Sequence, residues 1–214
     1  MVNFKQYFIK HGKCCAFNKG EVIVDCSLMP NGIYYIEKGF IKTLTLTERG
    51  NEHIYIIYKP NDIIPARWAF SAIKGLLIYM AMTPVTAWKV DKSSFSAYIS
   101  SSPEILNAAL EYSNTILNIF VNRVNDLEHM NAYLRVMAAL LRLSTRFGKA
   151  KGHGVLIDLP ITHQELGSAL ALTRETVSRE IGKLIDKQII KYNDNLIFIN
   201  KIEELEKEMS EYKT

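Results

Sequence analysis

The 214-residue sequence has no run approaching the roughly 18–20 apolar residues that a membrane-spanning helix needs. Its N-terminus lacks the apolar core of a secretory signal, so a cytoplasmic chain with no membrane partner is expected. Cysteine is scarce. Cys14, Cys15 and Cys26 are the only three, an odd number that suits a reducing compartment better than a disulfide scaffold. A four-thiolate iron–sulfur cluster cannot be completed from one such chain. A nucleophile elbow, a Walker loop and a zinc-ligand motif are also missing. His153, His163 and scattered carboxylates form no recognisable catalytic set, and the expected class is not an enzyme.

Charge of either sign is ordinary in amount, with 26 Lys and Arg against 22 Asp and Glu, for a net charge of +4. Its distribution carries more. From Asn131 to Ile199 there are ten Lys/Arg and six Asp/Glu, so this part alone holds an excess equal to that of the whole chain. Attraction to nucleic-acid phosphates could arise from such a patch.

Residues 1 to about 100 read as strands. Val22–Val24, Ile33–Ile36, Phe40–Leu46 and Ile54–Tyr58 are β-branched or aromatic with partial period-two alternation. Gly20, Gly32, Gly39, Gly50 and the Pro60-Asn61-Asp62 turn punctuate them, as in a compact β-roll or sandwich. A long helix follows from Ser102-Pro103, where serine can cap and proline suits the first helical position. Leu106, Leu110, Leu117, Phe120, Val124, Leu127 and Leu134 follow alternating three–four spacing, with Ser113 and Asn131 completing the seam. Such a heptad pattern predicts a coiled-coil contact; the competing reading is a helix buried against its own domain. Asn131 also suits an N-cap for a new amphipathic run, Leu134, Met137, Ala138 and Leu141, and marks a hinge.

Beyond the Gly- and Lys-rich turn Lys149–Gly154, Val155–Leu159 reads as a strand. Thr162 and Glu165 form a capping box, and Leu166, Ala169 and Leu170 give one apolar helical face. Thr173 caps a second helix, in which Val177, Ile181 and Leu184 face inward. Arg174, Glu175, Ser178 and Arg179 are left together near its N-terminus, where helix-turn-helix proteins present groups to the major groove. Arginine donates bidentately to guanine, and glutamate accepts from cytosine N4. An ordinary solvated helix carrying a Glu175–Arg179 pair is the bland alternative. Thr162, His163, Gln164, Thr173 and Thr176 sit at helix starts, where such groups reach phosphates. Ile189–Tyr192 and Leu196–Ile199 flank Asn193-Asp194-Asn195, a hairpin signal, which makes the motif winged.

Leu172-Thr173-Arg174-Glu175-Thr176-Val177-Ser178-Arg179 resembles the recognition helix of the Crp/Fnr superfamily of bacterial transcription regulators. Gly20-Glu21, Tyr35-Ile36-Glu37-Lys38-Gly39 and Pro60-Asn61-Asp62 are similar to landmarks of that family's cyclic-nucleotide-binding roll, with Asn61 in place of a glycine. Ala171 stands where glycine is usual. Glu180 replaces an aliphatic residue, and it must reach solvent or a basic partner. The resemblance implies an α+β architecture: a cyclic-nucleotide-binding-like β-roll over residues 1–102, a dimerisation helix over 103–130 and a winged helix-turn-helix domain over 131–214. It further implies a homodimer, a palindromic double-stranded DNA operator with TGTGA-type half-sites, and RNA polymerase as a partner.

The family's effector cassette is not matched. Aligned backwards from Thr83-Pro84-Val85-Thr86-Ala87-Trp88, Ile64-Pro65 falls at the ribose-binding Gly-Glu and Gly75-Leu76-Leu77 at the phosphate-binding Arg-Ser-Ala. Phe120 and Val121 replace hydroxyls used for the purine. An unneutralised phosphate in an apolar cavity is costly, so neither cAMP nor cGMP is expected to bind in the usual mode. Arg67, Trp68, Phe70, Tyr79, Met80, Phe120 and Val121 define a candidate pocket for an apolar or aromatic effector, unless these side chains simply close the roll as core. A Cys15–Cys26 redox pair and a haem held by His11 or His53 complete the alternatives; no haem, iron–sulfur cluster or other cofactor is expected. A sensor acting through protein contacts remains the reading from another functional class.

Overall fold

The computed structural model describes residues 4–48, 50–70 and 76–211. The chain forms two compact units, residues 1–120 and 121–214.

The first unit begins with helix α1 (Phe4–His11), then strands β1 (Lys13–Phe17), β2 (Val22–Asp25), β3 (Ile33–Lys38), β4 (Ile41–Leu46), β5 (Glu52–Tyr58) and β6 (Ile63–Ile64). A short helix α2 (Ala66–Phe70) precedes β7 (Ile78–Ala81), β8 (Val85–Val90) and helix α3 (Lys92–Ile99). Two four-stranded antiparallel sheets result, ordered β1-β8-β3-β6 and β2-β7-β4-β5. Strand β3 is buried on both faces. Tyr34 and Ile36 join a core with Ile41, Ile56, Tyr58 and Tyr79, while Ile33 and Tyr35 join a second with Phe8, Trp68 and Phe95. This division is the period-two geometry of a strand at work. Asn61 adopts φ +76° and its side chain accepts from the Tyr35 hydroxyl. An asparagine tolerates that left-handed turn better than other non-glycine residues.

Reading the first hundred residues as strands misses α1, α2 and α3. Helix α3, Lys-Ser-Ser-Phe-Ser-Ala-Tyr-Ile, has little intrinsic helix preference. It is held by burial of Phe95 among Phe4, Tyr7, Phe8, Phe70 and Tyr98.

Helix α4 (Pro103–His129) runs through the division between the units. The second unit continues with α5 (Ala132–Phe147), β9 (Gly148–Lys151), β10 (Gly154–Ile157), α6 (His163–Leu170), α7 (Arg174–Asp186), β11 (Ile190–Asn193), β12 (Leu196–Ile199) and α8 (Ile202–Glu211). Asn131 caps α5 by accepting from the Leu134 N–H at 3.0 Å. Leu134, Val136, Met137 and Leu140 of α5 and Val177, Ile181 and Leu184 of α7 are buried, and the two helices are in contact. The sheet order is β11-β12-β10-β9. The basic stretch expected to be only a turn supplies strand β9, paired with β10, and Lys149 is bridged to Asp158. Asp194 (φ +50°) and Asn195 (φ +61°) turn the wing hairpin, the two-residue loop with positive φ at both central positions that antiparallel strands favour. Among the described residues no helix is long and apolar enough to cross a membrane.

Candidate nucleic-acid interface

Both helices of the motif start as their sequences dictate. The Thr162 hydroxyl accepts from the Glu165 N–H at 3.1 Å, and Glu165 accepts in return from the Thr162 N–H. The Thr173 hydroxyl accepts from the Thr176 N–H at 3.1 Å and donates to the Thr176 hydroxyl. Between the helices Ala171 takes the left-handed conformation, φ +54° and ψ +45°. The turn is tight because a Cβ on Gly167 would lie 2.8 Å from the Leu172 carbonyl oxygen.

With Val177, Ile181 and Leu184 buried, the exposed face of α7 is left with Arg174, Glu175, Ser178 and Arg179, which line one open depression. Two guanidinium groups, a carboxylate and a hydroxyl thus converge on one surface. The Glu175 carboxyl is held below its ordinary range, first by its own backbone N–H and then by the Thr173 hydroxyl. Its exposed side chain is therefore a carboxylate acceptor on this surface.

The helix-start residues divide. Gln164 and Thr173 are exposed. The hydroxyls of Thr162, Thr173 and Thr176 are engaged in capping. His163 turns one edge inward: its ring centre lies 4.4 Å from that of Tyr192 at a tilt of 34°, and Nε2 is buried without a hydrogen-bond partner. Burial, then the nearby Arg174 charge, lowers its pKa. A neutral ring in that setting serves packing, and its Nε2 is not available for the expected phosphate contact. Glu180 answers the question that its sequence position raises. It is 3% exposed, and its carboxylate lies between Arg179 and Lys183.

Two contacts not legible in the sequence tie the end of α4 into the second unit. Arg123 donates to the Ala169 carbonyl at the end of α6, and buried Asp126 pairs with Arg142 of α5. The expected seam on α4 is largely outward-facing, with Leu106, Leu110, Leu117, Val124 and Leu127 exposed. Phe120 is not part of it. Its ring packs against the roll core, 6.4 Å from Tyr55. The exposed stripe passes instead through Val121, which is 55% exposed. A three–four alternation fits either neighbour, and only the packing decides.

The remaining candidate pocket residues are dispersed. Trp68 belongs to one core cluster and Tyr79 to the other; Phe70 touches both, and Arg67 is exposed. Met80 is half-buried and pairs with Lys42 across the sheet. Ile64 is fully buried. Gly75 lies outside the described residues. The Tyr112 hydroxyl, from α4, both accepts from the Ile63 N–H (2.9 Å) and donates to the Ile63 carbonyl (3.0 Å). Cys26 is buried, and burial first and then Asp25 push its thiol up to about 11. Cys14 is exposed and Cys15 half-buried.

An antiparallel roll, a long helix, and a winged helix-turn-helix with arginines on its outer face define the class as a DNA-binding regulator. Comparison with known proteins agrees. Residues 7–102 match the cyclic nucleotide-binding domain model and residues 134–208 the Crp-like helix-turn-helix domain model. A global nitrogen regulator from Synechococcus elongatus is 27% identical over 177 residues, which cover 81% of this chain and 79% of that protein. A CRP-like cAMP-activated global transcriptional regulator from Mycobacterium tuberculosis is 24% identical, covering 88% of this chain and 84% of its own length. Among solved structures, a CooA variant from Carboxydothermus hydrogenoformans superposes with a TM-score of 0.79 at 17% identity, covering 94% of this chain and 89% of that one. A Crp/Fnr-family regulator from Thermus thermophilus superposes with a TM-score of 0.73 at 23% identity, covering 94% and 100%. The chain belongs to the Crp/Fnr superfamily of transcription regulators and is not an enzyme.

Proposed function

We propose that this protein acts in the cytoplasm as a homodimer that reads a palindromic DNA operator through α7, with no cAMP or cGMP input. The observation that carries the reading is the convergence of Arg174, Glu175, Ser178 and Arg179 on one exposed surface. Arg174 and Arg179 donate to guanine, Glu175 accepts from cytosine, and Ser178 contacts base or backbone. Gln164 and the capped starts of α6 and α7, with Thr162, Thr173 and Thr176, approach phosphates. Two copies paired along Leu106, Leu110, Leu117, Val121, Val124 and Leu127 would present their α7 helices one helical turn apart. RNA polymerase is the further partner.

Burial of Ile64, Tyr58 and Tyr79 in the roll supports a regulator whose nucleotide site is filled by its own side chains. An apolar effector near Phe70 and Tyr112, which lie half-buried between the two cores, is the second reading. Arg179→Ala should cost about 1–3 kcal/mol on the selected operator and much less on random duplex, measured by fluorescence anisotropy at fixed salt. Equal losses on both would remove Arg179 from the base readers. Addition of cAMP or cGMP should leave either affinity unchanged; a nucleotide-dependent increase would overturn the filled-site reading.

A further inference from the structure

Glu180 is an anomaly on α7, an acidic residue on the inward side of a helix whose inward neighbours are Val177, Ile181 and Leu184. Its side chain is 4% exposed. Burial of a carboxylate is costly unless it is paired and hydrogen-bonded, and this one has a partner on each oxygen. Oε1 accepts from the Arg179 Nε at 3.0 Å, and Oε2 accepts from the Lys183 Nζ. Lys183 is itself seated against α5, its ammonium 5.2 Å from the centre of the Tyr133 ring. Burial pushes the Glu180 carboxyl up, but Lys183 and Arg179 outweigh it and hold the group below its ordinary range. The carboxylate thus joins a cation anchored on the domain to a cation whose side chain is 61% exposed at the interface.

A guanidinium offers five N–H groups in a planar fork. With Nε occupied, the face left for DNA is the pair of terminal nitrogens. We propose that Glu180 is a positioning residue that sets base specificity: it clamps Arg179 by Nε so that both terminal nitrogens address one guanine end-on. This rests on Arg179 being a base reader. An unclamped arginine at this place would sample other rotamers and reach phosphates as readily as a base edge. The clamp removes that freedom before binding. It also offsets part of the arginine's charge, so Arg179 contributes less to sequence-independent attraction than an unpaired arginine would.

The test uses the full-length chain with the operator selected from random duplex, and single-base-pair variants of it, at two salt concentrations. Arg179→Ala first identifies the base pair whose preference it flattens. Glu180→Leu should lower discrimination at that same pair by about tenfold or more. It should leave the other positions unchanged and bind random duplex as well as or better than the parent. Glu180→Gln, which keeps the shape and one acceptor oxygen, should fall between the two. The double variant Arg179→Ala/Glu180→Leu should lose nothing beyond Arg179→Ala. A purely structural Glu180 would weaken all sequences alike, and that result would overturn the proposal, as would undiminished discrimination at the Arg179 pair. Should Glu180→Leu fail to fold, Glu180→Gln decides: partial loss at that one pair supports the clamp, and no loss overturns it. If Arg179→Ala flattens no base pair, the reading of Arg179 fails and the clamp with it. If it flattens one that the Glu180 variants leave intact, only the clamp fails.

Discussion

Val121→Glu is expected to dissociate the proposed dimer, whereas Phe120→Ala is expected to leave it paired and loosen the roll. Full burial of a valine side chain contributes about 1.5–3 kcal/mol. Val121 is 55% exposed in the single chain, so its pairing across a twofold axis is worth roughly 2–3 kcal/mol for the two copies together. Two facing carboxylates add about 1 kcal/mol of repulsion in a water-like medium. The sum, about 3–4 kcal/mol, raises the dimer dissociation constant a few hundredfold. Phe120 packs on Tyr55 and the core around Tyr58 and Tyr79, and its loss should cost the roll about 2–3 kcal/mol, below the range for a fully buried phenylalanine. Sedimentation velocity over a concentration series reads the first effect and thermal unfolding the second. A Val121→Glu protein that stays dimeric where the parent does, or a Phe120→Ala protein that dissociates, would refute the assignment of these two neighbours.

Ala171→Gly should stabilise the second unit by about 0.5–1 kcal/mol, because relief of roughly 1–2 kcal/mol of left-handed strain exceeds the added flexibility of the unfolded chain. Calorimetry should show a rise of about 2–8 °C in its transition; a fall would mean that the alanine methyl makes a contact worth more than the strain. Acid should weaken the same unit. Glu180 and Glu208 are both held below the ordinary value of 4.5 despite burial, Glu208 chiefly by Lys187 and then Tyr133. Their contribution is fully present above that value and is lost as pH falls through the lowered ones. Melting temperatures between pH 7 and pH 3 should therefore drop less for Glu180→Gln/Glu208→Gln than for the parent. Equal drops would show that these two pairs do not set the acid limit.

The sequence made the roll's strands legible because β-branched runs alternate between Gly and Asn turns, and the Asn61 and Asp194-Asn195 turns adopt the positive φ that their residue types permit. The helix-turn-helix was legible through two caps whose hydrogen bonds the structure contains. Short helices such as α3 were not, since their residues lack helical preference and tertiary burial of Phe95 decides. The Phe120–Val121 choice was hidden because heptad spacing ranks faces of a helix without saying which neighbour meets the core. Glu180 advertised a need for a basic partner but could not name Arg179, which read as a base reader, or Lys183 one turn further on. The inward nitrogen of His163 was hidden for a related reason: proximity to a helix start says nothing of the Tyr192 ring that it packs against.

Selection of bound fragments from a random or genomic duplex pool by the purified chain, at physiological salt, tests the central claim most directly. The prediction is enrichment of a twofold-symmetric sequence with G·C pairs in each half-site and half-site centres about 10–10.5 base pairs apart. Uniform recovery of all sequences, with retention that depends on salt alone, would contradict it.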